Sequence, residues 1–258
     1  MAFGKPGRLR KELPLVQLIP NFLTLAALSA GLTAIRFAMM GQLRLAVGLI
    51  ILAAVLDGLD GRLARMLSSE SAIGAELDSL ADFLNFGVAP GFILYFWVLN
   101  TSSGIGWIAV MIYAICCALR LARFNVGNRP TAEAQQDKRF FRGVPSPAGA
   151  LLALMPMYLA FMLPQTLTFP APVVALWTIA VGALMISRLP TWSFKSTTVY
   201  AEHAKFIMIG FVALAGALIT YPWATLFILG LGYLATLVLA QRELRRPDAR
   251  KPDAKVGE

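Results

Sequence analysis

The chain has 258 residues, 58% of them apolar and only 14% charged, with a mean hydropathy of +0.68. A water-soluble domain of this length carries more charge and fewer long apolar runs, so these figures exclude an ordinary soluble fold. The net charge of +9 would suit nucleic acid, but the basic residues flank apolar runs without the aromatic interleaving of a nucleic-acid module. They read instead as topology signals and headgroup contacts, and no nucleic-acid partner is expected.

Residues 1–19 place Lys5, Arg8, Arg10 and Lys11 ahead of Leu13, Leu15, Val16, Leu18 and Ile19, the pattern of a short segment lying in the membrane interface. The apolar stretch behind them runs on to Met40, too long for a signal-peptide core, and is read as a retained first helix. A helix needs about 20 residues to cross about 30 Å of hydrocarbon. On that measure eight spans are predicted, over 20–40, 44–66, 75–99, 105–126, 147–164, 171–188, 204–220 and 222–241. The fifth and sixth are short and bounded by Pro147, Pro164 and Pro170, so a six-helix catalytic core with two further pieces also fits. Adjacent Cys116 and Cys117, inside the fourth span, read as small packing residues. The last two spans meet in a tight turn at Tyr221-Pro222. The tail 242–258 is charged, contains proline and has no apolar face, so disorder is expected there. The expected organisation is an all-α transmembrane bundle forming one catalytic domain over 1–241.

Basic residues fall in the N-terminal tail, near 67–74, in 127–146, in 189–203 and in the C-terminal tail. Of the 23 Lys and Arg residues only Arg36 and Arg44 fall near the other side. The positive-inside rule then puts both termini in the cytoplasm, on an inner (cytoplasmic) membrane of bacterial type.

Acidic residues in such helices are the informative anomaly. Asp57, Asp60, Asp78 and Asp82 lie in or beside apolar helices, where each would cost about 2.5–3.5 kcal/mol at a helix centre. Asp57 and Asp60 are three apart and Asp78 and Asp82 four apart, so each pair shares a helix face. The short connection between spans two and three makes them antiparallel neighbours and brings the four carboxylates together just inside the cytoplasmic surface. Carboxylates so close need a shared cation or retained protons. The cluster holds no His or Cys, and an all-oxygen site suits Mg²⁺ or Mn²⁺ and disfavours zinc. Two such cations would neutralise the four groups and leave room for phosphate oxygens, the arrangement of metal-pair phosphoryl transfer. Gly58, Gly61, Ala64 and Gly74 surround the pairs. Small residues there serve either close helix packing or the approach of a bulky ligand, and the neighbouring carboxylates favour the ligand.

These residues spell a motif: Asp57-Gly58-Leu59-Asp60-Gly61-Arg62-Leu63-Ala64-Arg65, eight residues, Gly74, three residues, Asp78, three residues, Asp82. It resembles the signature of the CDP-alcohol phosphotransferase family at all eight fixed positions. The resemblance implies that Asp57, Asp60 and Asp78 hold metals and the cytidine diphosphate. It implies that Asp82 lies near the metal and acts as general base. Gly61, Ala64 and Gly74 match the positions that admit the nucleotide, and Arg65 matches the motif arginine. The implied chemistry is attack of an alcohol oxygen on the phosphorus bonded to the lipid, with CMP leaving and no covalent enzyme intermediate. Dimerisation is expected from the family and from the many small residues in the spans.

The run Asp78-Ser79-Leu80-Ala81-Asp82-Phe83-Leu84-Asn85-Phe86-Gly87-Val88-Ala89-Pro90 resembles the phosphatidylserine synthase branch. So do Arg120-Leu121-Ala122-Arg123-Phe124-Asn125, Phe141-Arg142-Gly143-Val144-Pro145-Ser146-Pro147 and Pro20-Asn21-Phe22-Leu23-Thr24. The implied substrates are CDP-diacylglycerol and L-serine. Serine's carboxylate needs a cation, and Arg120, Arg123 and Arg142 stand on the right side to bind it or the diphosphate. Asn21 and Thr24 either cap the first helix or contact the nucleotide. His203, Glu70 and Glu76 receive no role. Glycerol 3-phosphate, an inositol phosphate or choline is the rival acceptor. A divalent-cation transporter is the rival class, and the carboxylates' position near one surface and the lack of a repeat speak against it.

Overall fold

The computed structural model describes residues 18–67, 69, 71–102, 104–127, 140–163, 169–187, 190–192 and 204–244. Among them the chain forms a helical bundle with one small β-ribbon. The helices are α1 (Ile19–Met39), α2 (Leu43–Met66), α3 (Ala72–Asp82), a π-helical segment (Phe83–Val88), α4 (Ala89–Trp97), α5 (Ile105–Gly127), α6 (Ser146–Ala153), α7 (Met155–Met162), α8 (Ala171–Ile186), α9 (Ala204–Thr220) and α10 (Pro222–Leu244). Among the described residues four helices are long and apolar enough to cross a membrane, 19–39, 73–97, 105–126 and 222–242, and shorter apolar helices join them. α2 has the length, but Asp57, Asp60, Arg62 and Arg65 charge one end and Arg44 the other. The site itself thus spoils the apolar signature of its own helix. Large apolar side chains such as Leu32, Leu52, Leu119 and Leu176 stay exposed on the outer faces, as expected where lipid is the solvent.

Inside, Ile50, Phe86, Ile93, Leu94, Tyr113, Leu152 and Tyr158 are fully buried. α1 packs along α2 and also touches α3 and α4, while α5 packs along α8. The prediction that α2 and α3 are close neighbours is modified. α2 meets the long 72–97 helix mainly through the π segment and α4, and its contact with α3 is slight. The ends of α2 and α3 therefore stand apart, with α1 behind them.

Three further differences from the predicted spans have local causes. The fifth span breaks into α6 and α7 at Leu154 and ends at Met162, short of 164. Pro156 has no N–H to return to the Leu152 carbonyl, and the Trp177 indole donates to that carbonyl at 2.9 Å. The third span contains the π segment. Pro90 cannot donate to the Phe86 carbonyl, and the Tyr113 hydroxyl does so at 2.7 Å. The predicted loops 127–146 and 189–203 contain strands β1 (Phe140–Arg142) and β2 (Pro190–Trp192), paired antiparallel with Phe141 opposite Thr191. Gly143 follows β1 at φ 87°, and a Cβ there would meet the carbonyls of Met185 and Ser187. Only glycine brings this turn against the end of α8. Ile19 already belongs to α1, and α10 runs on to Leu244. Residues 1–17 of the predicted interfacial segment and 245–258 of the C-terminal tail lie outside the described residues. Cys116 and Cys117 are buried and unbridged, as their place in an apolar run predicts.

Candidate active site

The last turns of α2 carry Asp57, Asp60, Gly61, Ala64 and Arg65 on neighbouring faces because their spacings of three and four match the helical repeat. α3 starts beyond a short connection. Ser71 is its N-cap, accepting from the Gly74 N–H at 3.0 Å, which anchors the first turn and so places Asp78 one turn before Asp82. Each of Asp57, Asp60 and Asp78 offers a carboxylate oxygen within 4.8 Å of the others. Asp82, one turn beyond Asp78, interacts electrostatically with Asp57 and Asp78. The structure thus assembles a compact triad with the fourth carboxylate beside one member.

Asp60 is almost fully buried, at 3% exposure. It accepts a 2.6 Å hydrogen bond from the Thr24 hydroxyl, which also lies 3.1 Å from the Pro20 carbonyl. This corrects the capping alternative for Asn21 and Thr24. α1 begins at Ile19 with Leu18 as N-cap and no side-chain cap. Asn21 sits within the first turn and Thr24 in the second, and both face the site.

A cavity of about 430 Å³ opens between the separated ends of α2 and α3, with α1 as its floor. Asn21, Thr24, Asp60, Gly61, Ala64, Arg65, Gly74 and Asp78 all line it. Pro20, Ser69, Ser71, Ala75 and Phe124 complete the lining. Among the described residues a Cβ at Gly58 or Gly61 would meet nothing within 4 Å, so neither glycine serves packing of the described helices. At Gly74 a Cβ would come 2.9 Å from Asn21 Oδ1 and 3.0 Å from Ser71 Oγ. The small side chain there keeps α3 against α1 at the rim.

The arginines separate into different roles. Arg65 turns back to donate from Nε to the Gly61 carbonyl at 3.0 Å. Arg120 donates to Ser146 Oγ at 2.6 Å, lies 5.7 Å over the Phe124 ring and interacts electrostatically with Asp82. Arg123 donates to the Ile186 carbonyl at 2.9 Å and so closes the C-terminal end of α8. Arg120 and Arg123 are not in the cavity lining. The backbone of Arg142 lies in β1. Its side chain lies outside the described residues, as do Glu70 and His203. Glu76 is exposed.

The donor set fits a divalent cation. It consists of oxygen atoms alone, three carboxylates converge, and the buried Oδ1 of Asp82 has no hydrogen-bond partner. Sequence reasoning missed Ser69, Ser71 and Phe124. Ser71 was detectable as a serine directly before a helical run, whereas Ser69 and Phe124 join the site only through folding.

Residues 17–186 match the family described as CDP-alcohol phosphatidyltransferase, and residues 205–237 match one described as CDP-alcohol phosphatidyltransferase 2. The chain is 37% identical over 225 residues to the CDP-diacylglycerol--serine O-phosphatidyltransferase of Mycobacterium leprae (strain TN), covering 87% of this chain and 75% of that protein. It is 35% identical over 242 residues to the protein of that name from Mycobacterium tuberculosis (strain ATCC 25618 / H37Rv), covering 94% and 84%. The protein of that name from Bacillus subtilis (strain 168) is 33% identical over 178 residues, covering 69% and 91%.

Proposed function

The chain belongs to the CDP-alcohol phosphatidyltransferase family, and on that premise we propose that it transfers the phosphatidyl group of CDP-diacylglycerol to L-serine, giving phosphatidylserine and CMP. The observation that carries this reading is the triad of Asp57, Asp60 and Asp78 beside a cavity walled by Gly61, Ala64 and Gly74. The relatives that carry the serine transferase name support the choice of acceptor.

The cytidine diphosphate enters where Gly61 and Ala64 leave the α2 backbone open, with Asn21, Thr24 and Arg65 as polar walls. Asp57, Asp60, Asp78 and Asp82 would hold two Mg²⁺ or Mn²⁺ ions, which when bound neutralise the carboxylates and draw charge from the diphosphate. Asp82 takes the proton of the serine hydroxyl as that oxygen bonds to the lipid-linked phosphorus. The bond from this phosphorus to the CMP oxygen breaks, and CMP carries the charge away. The unpartnered Oδ1 of Asp82 supports this role, since it is an acceptor with no donor among the described residues. Arg120, fixed by Ser146 next to Asp82, steadies that carboxylate. Arg142 supplies positive charge for the serine carboxylate or the diphosphate, while Arg123 holds the end of α8.

The distribution of Lys and Arg supports a site facing the cytoplasm from an inner membrane of bacterial type. The protein works as a homodimer whose single catalytic domain spans 1–241. The test is CMP release by purified protein given CDP-diacylglycerol, Mn²⁺ or Mg²⁺, and serine, glycerol 3-phosphate, inositol phosphate or choline in separate reactions. Release with serine alone, lost on chelation, is expected. Release with another alcohol overturns the acceptor, and silence in all four overturns the transferase reading.

A further inference from the structure

The cavity beside the triad has two unlike ends. Thr24, Asp60 and Asp78 form the inner one, where oxygen acceptors gather for a cation and the phosphates it would hold. The outer end lies toward the connection between α2 and α3. From Asp60 to the end of α2 at Met66 is about 9 Å of helix, and Ser69 lies beyond that point. Arg62 and Arg65 charge this end of α2, so the outer end points away from the apolar length of the helix. Its described polar groups are the neutral Asn21, Ser69 and Ser71, apart from Arg65, whose Nε is held by the Gly61 carbonyl. A phosphate or carboxylate calls for cations. A neutral polar wall suits a neutral group rich in donors and acceptors.

Within that wall Ser69 is set apart. Its N–H donates to the Ala64 carbonyl at 3.0 Å, which folds the connection back over the last turn of α2 and fixes residue 69 at the cavity. Ser71 Oγ is engaged as the cap of α3. Ser69 Oγ is buried and has no hydrogen-bond partner among the described residues. A buried hydroxyl without a partner is costly. It turns on a single side-chain torsion, so it can meet a ligand in the cavity while the backbone stays in place.

We propose that the outer end of the cavity receives the cytosine of the CDP-linked lipid, and that the Ser69 hydroxyl hydrogen-bonds the polar edge of that base. The two halves of such a lipid have opposite solvent preferences. With the diphosphate at the triad, the acyl chains stay beside the apolar spans and the nucleoside takes the polar side. Cytosine presents an amino donor together with carbonyl and ring-nitrogen acceptors, and a serine hydroxyl can pair with either kind. The proposal rests on the phosphatidyl-transfer reading and adds where the base lies and which residue holds it. Ser69 is a base-binding residue here and takes no part in the chemistry at phosphorus.

The full chain in detergent with Mg²⁺ is titrated calorimetrically with CMP. Ribose 5-phosphate, the same sugar phosphate without a base, is measured by displacement of CMP. Ser69→Ala should weaken CMP binding about three- to tenfold, the loss of one neutral hydrogen bond, and leave ribose 5-phosphate affinity and the melting temperature unchanged. It should raise KM for CDP-diacylglycerol by the same factor with kcat unchanged. Equal CMP affinity in variant and parent overturns the proposal. So does an equal loss for both ligands, which would put Ser69 at the sugar phosphate or in the folding of the site. Ser69→Thr keeps the hydroxyl and should bind CMP as the parent does, and a threonine variant as weak as the alanine one counts against the hydroxyl contact. A parent chain that binds no CMP overturns the transfer reading itself, so failure of that reading and failure of the Ser69 assignment give different results.

Discussion

Thr24→Val tests whether Asp60 is a metal ligand without touching any carboxylate. Thr24 is 6% exposed, and its hydroxyl donates to Asp60 Oδ2 at 2.6 Å. Valine has nearly the same shape, so the change removes one short hydrogen bond to a charged acceptor and leaves the packing of α1 on α2 in place. Such bonds contribute about 1.5–3 kcal/mol, and each 1.4 kcal/mol is roughly tenfold in an equilibrium constant. The same range, roughly 10–100-fold in affinity, is seen when the group that orients a metal ligand is lost. Initial rates of CMP release would be titrated with Mn²⁺ at saturating CDP-diacylglycerol and serine, alongside a thermal melt. The half-saturating Mn²⁺ concentration should rise roughly 10–100-fold, and the maximal rate should return once metal saturates. A metal dependence equal to that of the parent protein, in a variant of unchanged melting temperature, would refute the placing of Asp60 in a metal site.

Asp57→Ala, Asp60→Ala and Asp78→Ala should each abolish CMP release while the protein still inserts and purifies as a helical membrane protein, and near-normal turnover in any one contradicts the triad assignment. Gly61→Leu should melt at the parent temperature, since a Cβ there meets no neighbour within 4 Å, yet lose CMP binding in a calorimetric titration; a destabilised variant that still binds CMP would return this glycine to helix packing. Tyr113→Phe leaves the Phe86 carbonyl unpaired beside the π segment and should lower stability by about 1–3 kcal/mol, read as a reduced melting temperature; no change would mean another donor takes over. Arg142→Ala should raise the serine KM with little effect on the KM for CDP-diacylglycerol, and an unchanged serine KM removes this residue from the acceptor site.

The eight helical units were readable because each is a local property of the chain. A run of about 20 apolar residues has one stable arrangement in lipid, with every backbone group paired within the helix. The carboxylates were readable for a related reason. Asp57, Asp60, Asp78 and Asp82 are costly in an apolar setting, and spacings of three and four settle which of them share a face. The breaks at Pro90 and Pro156 were not read from the sequence, because Tyr113 and Trp177 repair the interrupted bonds from other helices.

The residue pattern alone established the apolar helical character of the chain, the helix positions to within a few residues, the acidic cluster and the family motif. Three-dimensional packing was needed to show that α1 backs the site, that Thr24 reaches Asp60 across 36 residues of sequence, and that α2 and α3 part to open the cavity. It also decided that Arg123 closes α8 at Ile186, outside the cavity, and that Phe140–Arg142 pairs with Pro190–Trp192. The physical reason lies in the solvent. In water, an apolar stripe announces which face of a helix will be buried. In lipid, the inner and outer faces are both apolar, and neighbours are chosen by close packing and a few polar contacts. Those contacts join residues far apart in the chain, so they become legible only once the helices are in place.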